Sequence, residues 1–238
     1  MDSATYATLS RQSGLMREMQ VLANNIANAA TTGYRAEAVI FTEFVRAPDG
    51  AGEVLSMAHA GARHTDASAG GLRRTGGSFD LAIEGPGFFR IETPQGERLT
   101  RAGAFALSPA GEMLTPQGGR LLDAGGAPVF APPEARSIAI ARDGTLSADG
   151  QPVAQIGLVE PEDPRELIRE DGVRFRTSGA LRPVEAPTVL QGFLETSNVS
   201  AVSEIARLIE VQRGYELGQG FLDQEDERVR GALRTLGS

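Results

Sequence analysis

Two carboxylates, Asp80 and Glu84, come nearest in this chain to a pair that could hydrolyse a glycosidic bond, one as acid and the other as base or nucleophile. On an extended strand they share a face, and a rise of ~3.3 Å per residue sets them about 13 Å apart. That is too far for either hydrolytic geometry. The two histidines, His59 and His64, stand among Ala, Gly, Arg and Thr with no convergent ligands, and read as solvated loop residues. Glu84-Gly85-Pro86-Gly87 has the glycines of a phosphate loop but neither its lysine nor its helix, so it reads as a turn. With no cysteine, disulfides, thiol nucleophiles and thiolate metal sites are excluded. Three tyrosines and no tryptophan leave no aromatic platform for a carbohydrate. These residues predict no catalytic, cofactor or metal site and no small-molecule substrate.

The composition narrows the classes further. The formal net charge is −8, which argues against a nucleic-acid partner, since phosphate binding rests on clustered Lys and Arg. No run approaches the ~18–20 apolar residues of a membrane span. The opening Met1-Asp2-Ser3 shows no basic and apolar leader, so a cleaved secretory signal is not expected. The absence of cysteine suits both the cytosol and an oxidising space. Apolar residues are 41% and aromatics 5%, predicting a thin core of Val, Ile, Leu and Phe. Gly 29 and Pro 13 favour short strands and tight turns over long buried helices.

The elements around these residues fall into three kinds. Residues 1–30 and 198–236 have apolar residues at helical spacing. Ala201, Leu208, Tyr215, Leu222, Val229 and Leu236 lie seven apart, with Ile205 and Leu233 on an adjoining row; Leu9, Met16, Ala23 and Ala30 repeat likewise, with Met19 and Ile26 beside them. A seven-residue apolar repeat makes a narrow seam that another helix must cover. The two ends can cover each other, and what stays exposed calls for other molecules. Gly33 suits a helix stop, Asn198 or Ser200 the opening cap of the last helix, and Glu204 its positive end. Asn24, Asn25 and Asn28 cluster on one helix face although asparagine is a poor helix former. They read either as a fraying end or as amides bridging to neighbouring helices.

Between the helices, residues 46–76 are rich in Ala, Gly, Ser and His, with 54–57 as a possible strand, and read as an extended, weakly self-packed linker. From 78 to about 195 the pattern predicts short antiparallel strands at 79–84, 88–93, 98–101, 105–107, 113–114, 121–122, 138–141, 153–160, 173–175 and 189–194. Turn residues such as Asp143-Gly144 and Asp149-Gly150 separate them. Their spacing is that of an antiparallel sandwich or open barrel. Residues 161–169 read as a short helical turn or loop. The fold class is therefore α+β, divided at 1–36, 37–77, 78–195 and 196–238.

Four segments, ANNIANAATTGYR (23–35), SFDLAIEGPGFFRI (78–91) followed by LTRAGAFAL (99–107), GFLETSNVS (192–200) and IARLIEVQRGYE (205–216), resemble, in this order, the blocks of the flagellar basal-body rod and hook axial protein family. The one departure is Ala30, where that family commonly carries Asn or Asp. The resemblance implies a non-enzymatic structural subunit. Its terminal helices would pair as a coiled-coil inner domain, joined by an extended segment to an outer β domain. It also implies export by the flagellar type III apparatus without signal cleavage, and assembly in the periplasmic rod with other rod proteins and copies of itself. Its assembly interface would comprise Leu9, Met16, Met19, Asn24, Asn25, Ile26, Asn28, Ile205, Leu208, Gln212, Tyr215 and Leu222. The resemblance implies no cofactor.

Overall fold

The computed structural model describes residues 3–46 and 55–236. Met1, Asp2, the break at 48–52 and Val54 lie outside that range. The chain divides into two compact units. One comprises the two terminal helices and the Glu37–Asp66 segment, the other Asn28–Ala36 and Ala67–Val199.

In the first unit, helix α1 (Ser3–Ala27) and helix α2 (Ala201–Leu236) accompany an antiparallel ribbon of β1 (Glu37–Arg46) and β2 (Leu55–Thr65). The helices lie antiparallel, as their cross-links show: Gln12 meets Tyr215, Glu18 meets Arg207 and Asn25 meets Glu204. Ser200 takes the capping position of α2. Its carbonyl accepts from Glu204 N at 3.0 Å, and its Oγ lies 3.5 Å from Ser203 N.

The ribbon stands where a weakly self-packed linker is expected. Its register runs from Glu37 opposite Thr65 to Arg46 opposite Leu55 and shifts once, between Ile40 and Phe41. In 55–65 the residues Ser56, Ala58, Ala60 and Ala62 alternate with Met57, His59, Gly61 and Arg63, so the two-residue period has almost no hydrophobic amplitude. Backbone pairing carries the ribbon instead. The ribbon lies against α1 at Gly14, where a Cβ would come within 2.7 Å of the Phe41 ring.

The second unit holds the remaining strands. These are β3 (Leu72–Arg74), β4 (Leu81–Ile83), β5 (Phe88–Thr93), β6 (Gly96–Thr100), β7 (Ala106–Leu107), β8 (Met113–Leu114) and β9 (Arg120–Leu121). Next come β10 (Ile138–Ile140), β11 (Thr145–Ala148), β12 (Gln151–Gln155) and β13 (Leu158–Pro161). Last are β14 (Ile168–Asp171), β15 (Arg174–Arg176), β16 (Leu181–Pro183), β17 (Val189–Gln191) and β18 (Phe193–Glu195), with one 3-10 turn at Pro164–Glu166. A nine-stranded sheet follows the path β14-β15-β6-β5-β9-β8-β7, and β13 joins it by pairing with both β5 and β16. Beside it are a three-stranded sheet β10-β11-β12 and the pairs β17-β4 and β18-β3.

Strand β5 alternates as a half-buried strand should: Phe89, Ile91 and Thr93 point inward, while Phe88, Arg90 and Glu92 are partly exposed. Its buried face joins Leu81, Ile83, Leu121, Leu146 and Leu158 in the main core. At the turn into β12, Asp149 (φ 48) and Gly150 (φ 80) both take the left-handed conformation, as the Asp-Gly pair predicts. The sequence pattern does not announce strands β11, β14 and β16, and the stretch predicted at 153–160 is two strands meeting different neighbours.

Candidate assembly interface

The helix unit is built on polar brackets as much as on apolar packing. Asn25, 1% exposed, donates from Nδ2 to the Glu37 carbonyl at 2.8 Å and to Glu204 Oε2 at 2.9 Å, and its Oδ1 accepts from Glu37 N at 3.0 Å. One side chain thus ties the last turn of α1 to the first residue of β1 and the first turn of α2. Arg207 Nε donates to Glu18 Oε1 at 2.8 Å, and that hydrogen bond pushes the guanidinium pKa further above its ordinary value. Gln12 Nε2 donates to the Tyr215 carbonyl at 2.9 Å. Among the described residues, Val21, Leu22 and Val211 are the buried apolar residues of the helices.

Alpha-helices advance about 100° per residue, which sorts the sequence-predicted interface residues into two sets. Asn25 is buried, and Leu208, Tyr215, Leu222, Met19 and Ile26 are half-buried. On α2, Leu208, Tyr215 and Leu222 share the side of Val211 and Glu204, which faces α1. Leu9 (48% exposed) and Met16 (42%) lie on the opposite side of α1 from Val21, Leu22 and Asn25 and keep much of their apolar surface exposed. Ile205 and Ile209 likewise join Val202 (80% exposed) in an outward stripe on the far side of α2 from Val211. Asn24 and Gln212 are exposed, and Gln212 donates to Glu216 on its own helix at 3.1 Å. Asn28 is half-buried and accepts from Thr31 Oγ1 at 3.1 Å in the turn that follows α1. Sequence reasoning missed Gln12, Glu18, Glu37 and Arg207, because their signal is a partner far away in the chain rather than a local period.

The α2 glycines divide by what surrounds them. At Gly218 a Cβ would stand 2.5 Å from Gln12 Nε2, whereas at Gly220 nothing lies within 4 Å. Gly218→Ala should therefore displace the buried Gln12 amide and lower the unfolding midpoint. Gly220→Ala should raise helix stability by about 1 kcal/mol. Urea denaturation of both variants followed by circular dichroism measures the contrast, and equal effects would refute it.

In the β unit, the family-like segments converge on a buried charge cluster that sequence reasoning did not foresee. Arg35 (2% exposed) follows Gly33, whose φ of +70° and close approach to the backbone of Ala102 leave no room for a side chain. Arg35 Nη1 lies 2.7 Å from Glu195 Oε1, and Arg101 Nε lies 3.2 Å from Glu195 Oε2. Gly70 N also donates to Glu195 Oε1, at 3.0 Å, and Gly33 N to the Glu195 carbonyl at 2.8 Å. Asn198, a cap candidate in the sequence, instead accepts from Ala36 N at 2.6 Å and donates to the Ser68 carbonyl at 3.0 Å. The Arg169 guanidinium stacks over the rings of Tyr34 and Phe175, 4.5 and 4.7 Å from their centres.

Among the described residues no group of His, Asp and Glu could hold a metal, and His64 is an exposed residue of β2 opposite Ala38. Asp80 accepts from Thr75 Oγ1 within its own loop, and Glu84 is exposed. Among the described residues no helix is long and apolar enough to cross a membrane.

Three family descriptions match successive parts of this architecture. Residues 6–35 match the flagella basal body rod protein family, 82–148 the flagellar hook protein FlgE/F/G D1 domain, and 190–234 the flagellar basal body rod FlgEFG protein C-terminal region. The flagellar basal-body rod protein FlgF of Caulobacter vibrioides is 38% identical over 243 residues, covering 100% of this chain and 99% of that protein. This chain belongs to the flagellar basal-body rod protein family. The FlgF of Rhizobium meliloti is 35% identical, again over 100% of this chain and 99% of its own length. The FlgG of Bacillus subtilis is 30% identical over 93% of this chain and 94% of that protein. Within the rod family the matched blocks map onto α1 with the Arg35 turn, the strands β4 to β11, and β17 through nearly all of α2. Membership makes this a structural rod protein, not an enzyme.

Proposed function

We propose that this chain is a subunit of the proximal rod, polymerising with other axial proteins and with copies of itself into the hollow flagellar drive shaft. Full-length similarity to proteins named FlgF supports the proximal over the distal position. The observation that carries assembly is the two-faced character of the helices. One face of each is engaged within the chain, while Leu9 and Met16 on α1 and Val202, Ile205 and Ile209 on α2 turn apolar surface outward. Such stripes on both members of a helix pair mark interaction surfaces. In the rod they pack against helices of neighbouring subunits, and the α1–α2 pair takes coiled-coil geometry as part of the inner layer. The chain reaches the periplasm through the flagellar type III export apparatus without losing a signal peptide.

The test is complementation of a deletion strain in its native host, scored by swimming, by export and by density of the rod in isolated basal bodies. The wild-type chain should restore a complete rod with this protein in its proximal part. Asp80→Asn with Glu84→Gln should restore it equally, because these carboxylates have no chemistry to perform. A chain that restores motility without being present in the rod would overturn the proposal, as would loss of rod growth in the folded Asp80/Glu84 variant.

A further inference from the structure

Among the described residues, the charge cluster in the β unit brings the buried Arg35 and Arg101 onto the one buried carboxylate of Glu195. Arg35 and Arg101 have side chains 2% and 4% exposed, and Glu195 only 1%. Arg35 is held by Glu195 and by the Ser68 carbonyl. Arg101 Nη2 donates to the Gly85 carbonyl at 2.7 Å, its Nε meets Glu195 without hydrogen-bond alignment, and its buried Nη1 has no partner. Burial lowers the Arg101 pKa to about 10; Glu195 opposes this and Arg35 adds to it. Beside the cluster lies a cavity of about 350 Å³ whose lining includes both arginines and the apolar surfaces of Ala69, Pro86, Phe88 and Leu167. The one carboxylate in that lining, Glu160, is itself paired with Arg182 at 3.0 Å.

We propose that this cavity receives the side-chain carboxylate of an aspartate or glutamate from an adjacent rod subunit, which pairs with the unpartnered Nη1 of Arg101. The inference rests on the rod-subunit reading above. Three features select a carboxylate. A guanidinium presents its N–H groups in a planar fork that matches the two oxygens of a carboxylate. The lining is mostly apolar, which lowers the local dielectric around the guanidinium and strengthens the pairing. Glu160 on the wall repels a second negative charge, which favours a monoanion over a phosphate dianion. The side chain's methylenes would lie against Pro86, Phe88 and Leu167, so acid and stem are recognised together.

The probe is N-acetylglutamate α-amide, whose single carboxylate is on its side chain, with N-acetylglutamine amide as the uncharged control. Titrated into the full-length chain, the acid should shift the Arg101 side-chain N–H resonances saturably, and the amide should not. Arg101→Gln, which removes the unpartnered guanidinium N–H groups, should keep the unfolding midpoint and weaken the acid by roughly tenfold or more. Ala69→Glu supplies a carboxylate from the cavity wall. It should leave the fold intact and abolish probe binding, which keeps the test valid if Arg101→Gln does not fold. No saturation by the wild-type chain, equal binding of acid and amide, full binding by either folded variant, or tighter binding of inorganic phosphate would each overturn the proposal. Folded Arg101→Gln should also be exported yet stop rod growth. If the rod reading alone were wrong, probe binding would persist while the wild-type chain failed to enter a rod.

Discussion

Glu195→Gln is expected to destabilise the β unit by about 3–5 kcal/mol, because it leaves the buried Arg35 and Arg101 guanidinium groups without their shared counter-charge. For a chain of this size that corresponds to a fall of roughly 10 °C in the unfolding midpoint. The same change weakens the acceptor for Gly70 N, so the pairing of β18 with β3 should loosen and exchange its amide protons faster than β5. Removing a cation at the same time should return part of the loss. In a double-mutant cycle, Glu195→Gln with Arg101→Gln should be less destabilised than the sum of the single changes. Differential scanning calorimetry of the four proteins supplies the numbers. A Glu195→Gln midpoint within a degree or two of wild type would mean that the cluster is solvated and does not bear on the fold.

The second large effect separates the two faces of α2. Ile209 is 46% exposed and lies on the outward stripe, whereas Val211, two residues later, is 3% exposed on the side facing α1. Ile209→Asp places its charge in water, so the isolated chain should unfold within ~0.5 kcal/mol of wild type. In a rod, however, the same charge would enter a desolvated joint repeated at every subunit, costing several kcal/mol each time. Export should continue while rod completion and swimming fail. Val211→Asp should instead disrupt the helix pair in the free chain, with helical circular dichroism reduced. Normal swimming with Ile209→Asp would show that the outward stripe makes no joint, and the assembly surface would have to be sought elsewhere.

The features legible in the sequence alone share one property: their signal lies within a few residues. Helical spacing placed the end of α1 and the start of α2 to within three residues. Alternation placed β5, and Asp149-Gly150 marked a tight turn. The four family blocks identified the rod family from contiguous runs of residues. Absence of cysteine, of tryptophan and of a convergent acid pair argued against the common chemistries on composition and spacing alone.

Only the tertiary structure decided which face of each helix is taken. A seven-residue repeat marks where a partner is needed but not whether that partner is the same chain, so Tyr215 and Leu222 fell on the inner side and Leu9 and Met16 on the outer. It also decided that the glycine- and alanine-rich segment is a paired ribbon, since strand pairing uses backbone groups that every residue type carries. Asn25 turned out to be an internal bracket between α1, β1 and α2, a role that depends on residues 12 and 179 positions away. The Arg35, Arg101 and Glu195 cluster is the clearest case. Each residue sits in a recognisable block, yet nothing local says that the three meet. Burial and charge balance are properties of the folded neighbourhood, and they exist only once distant segments have been brought together.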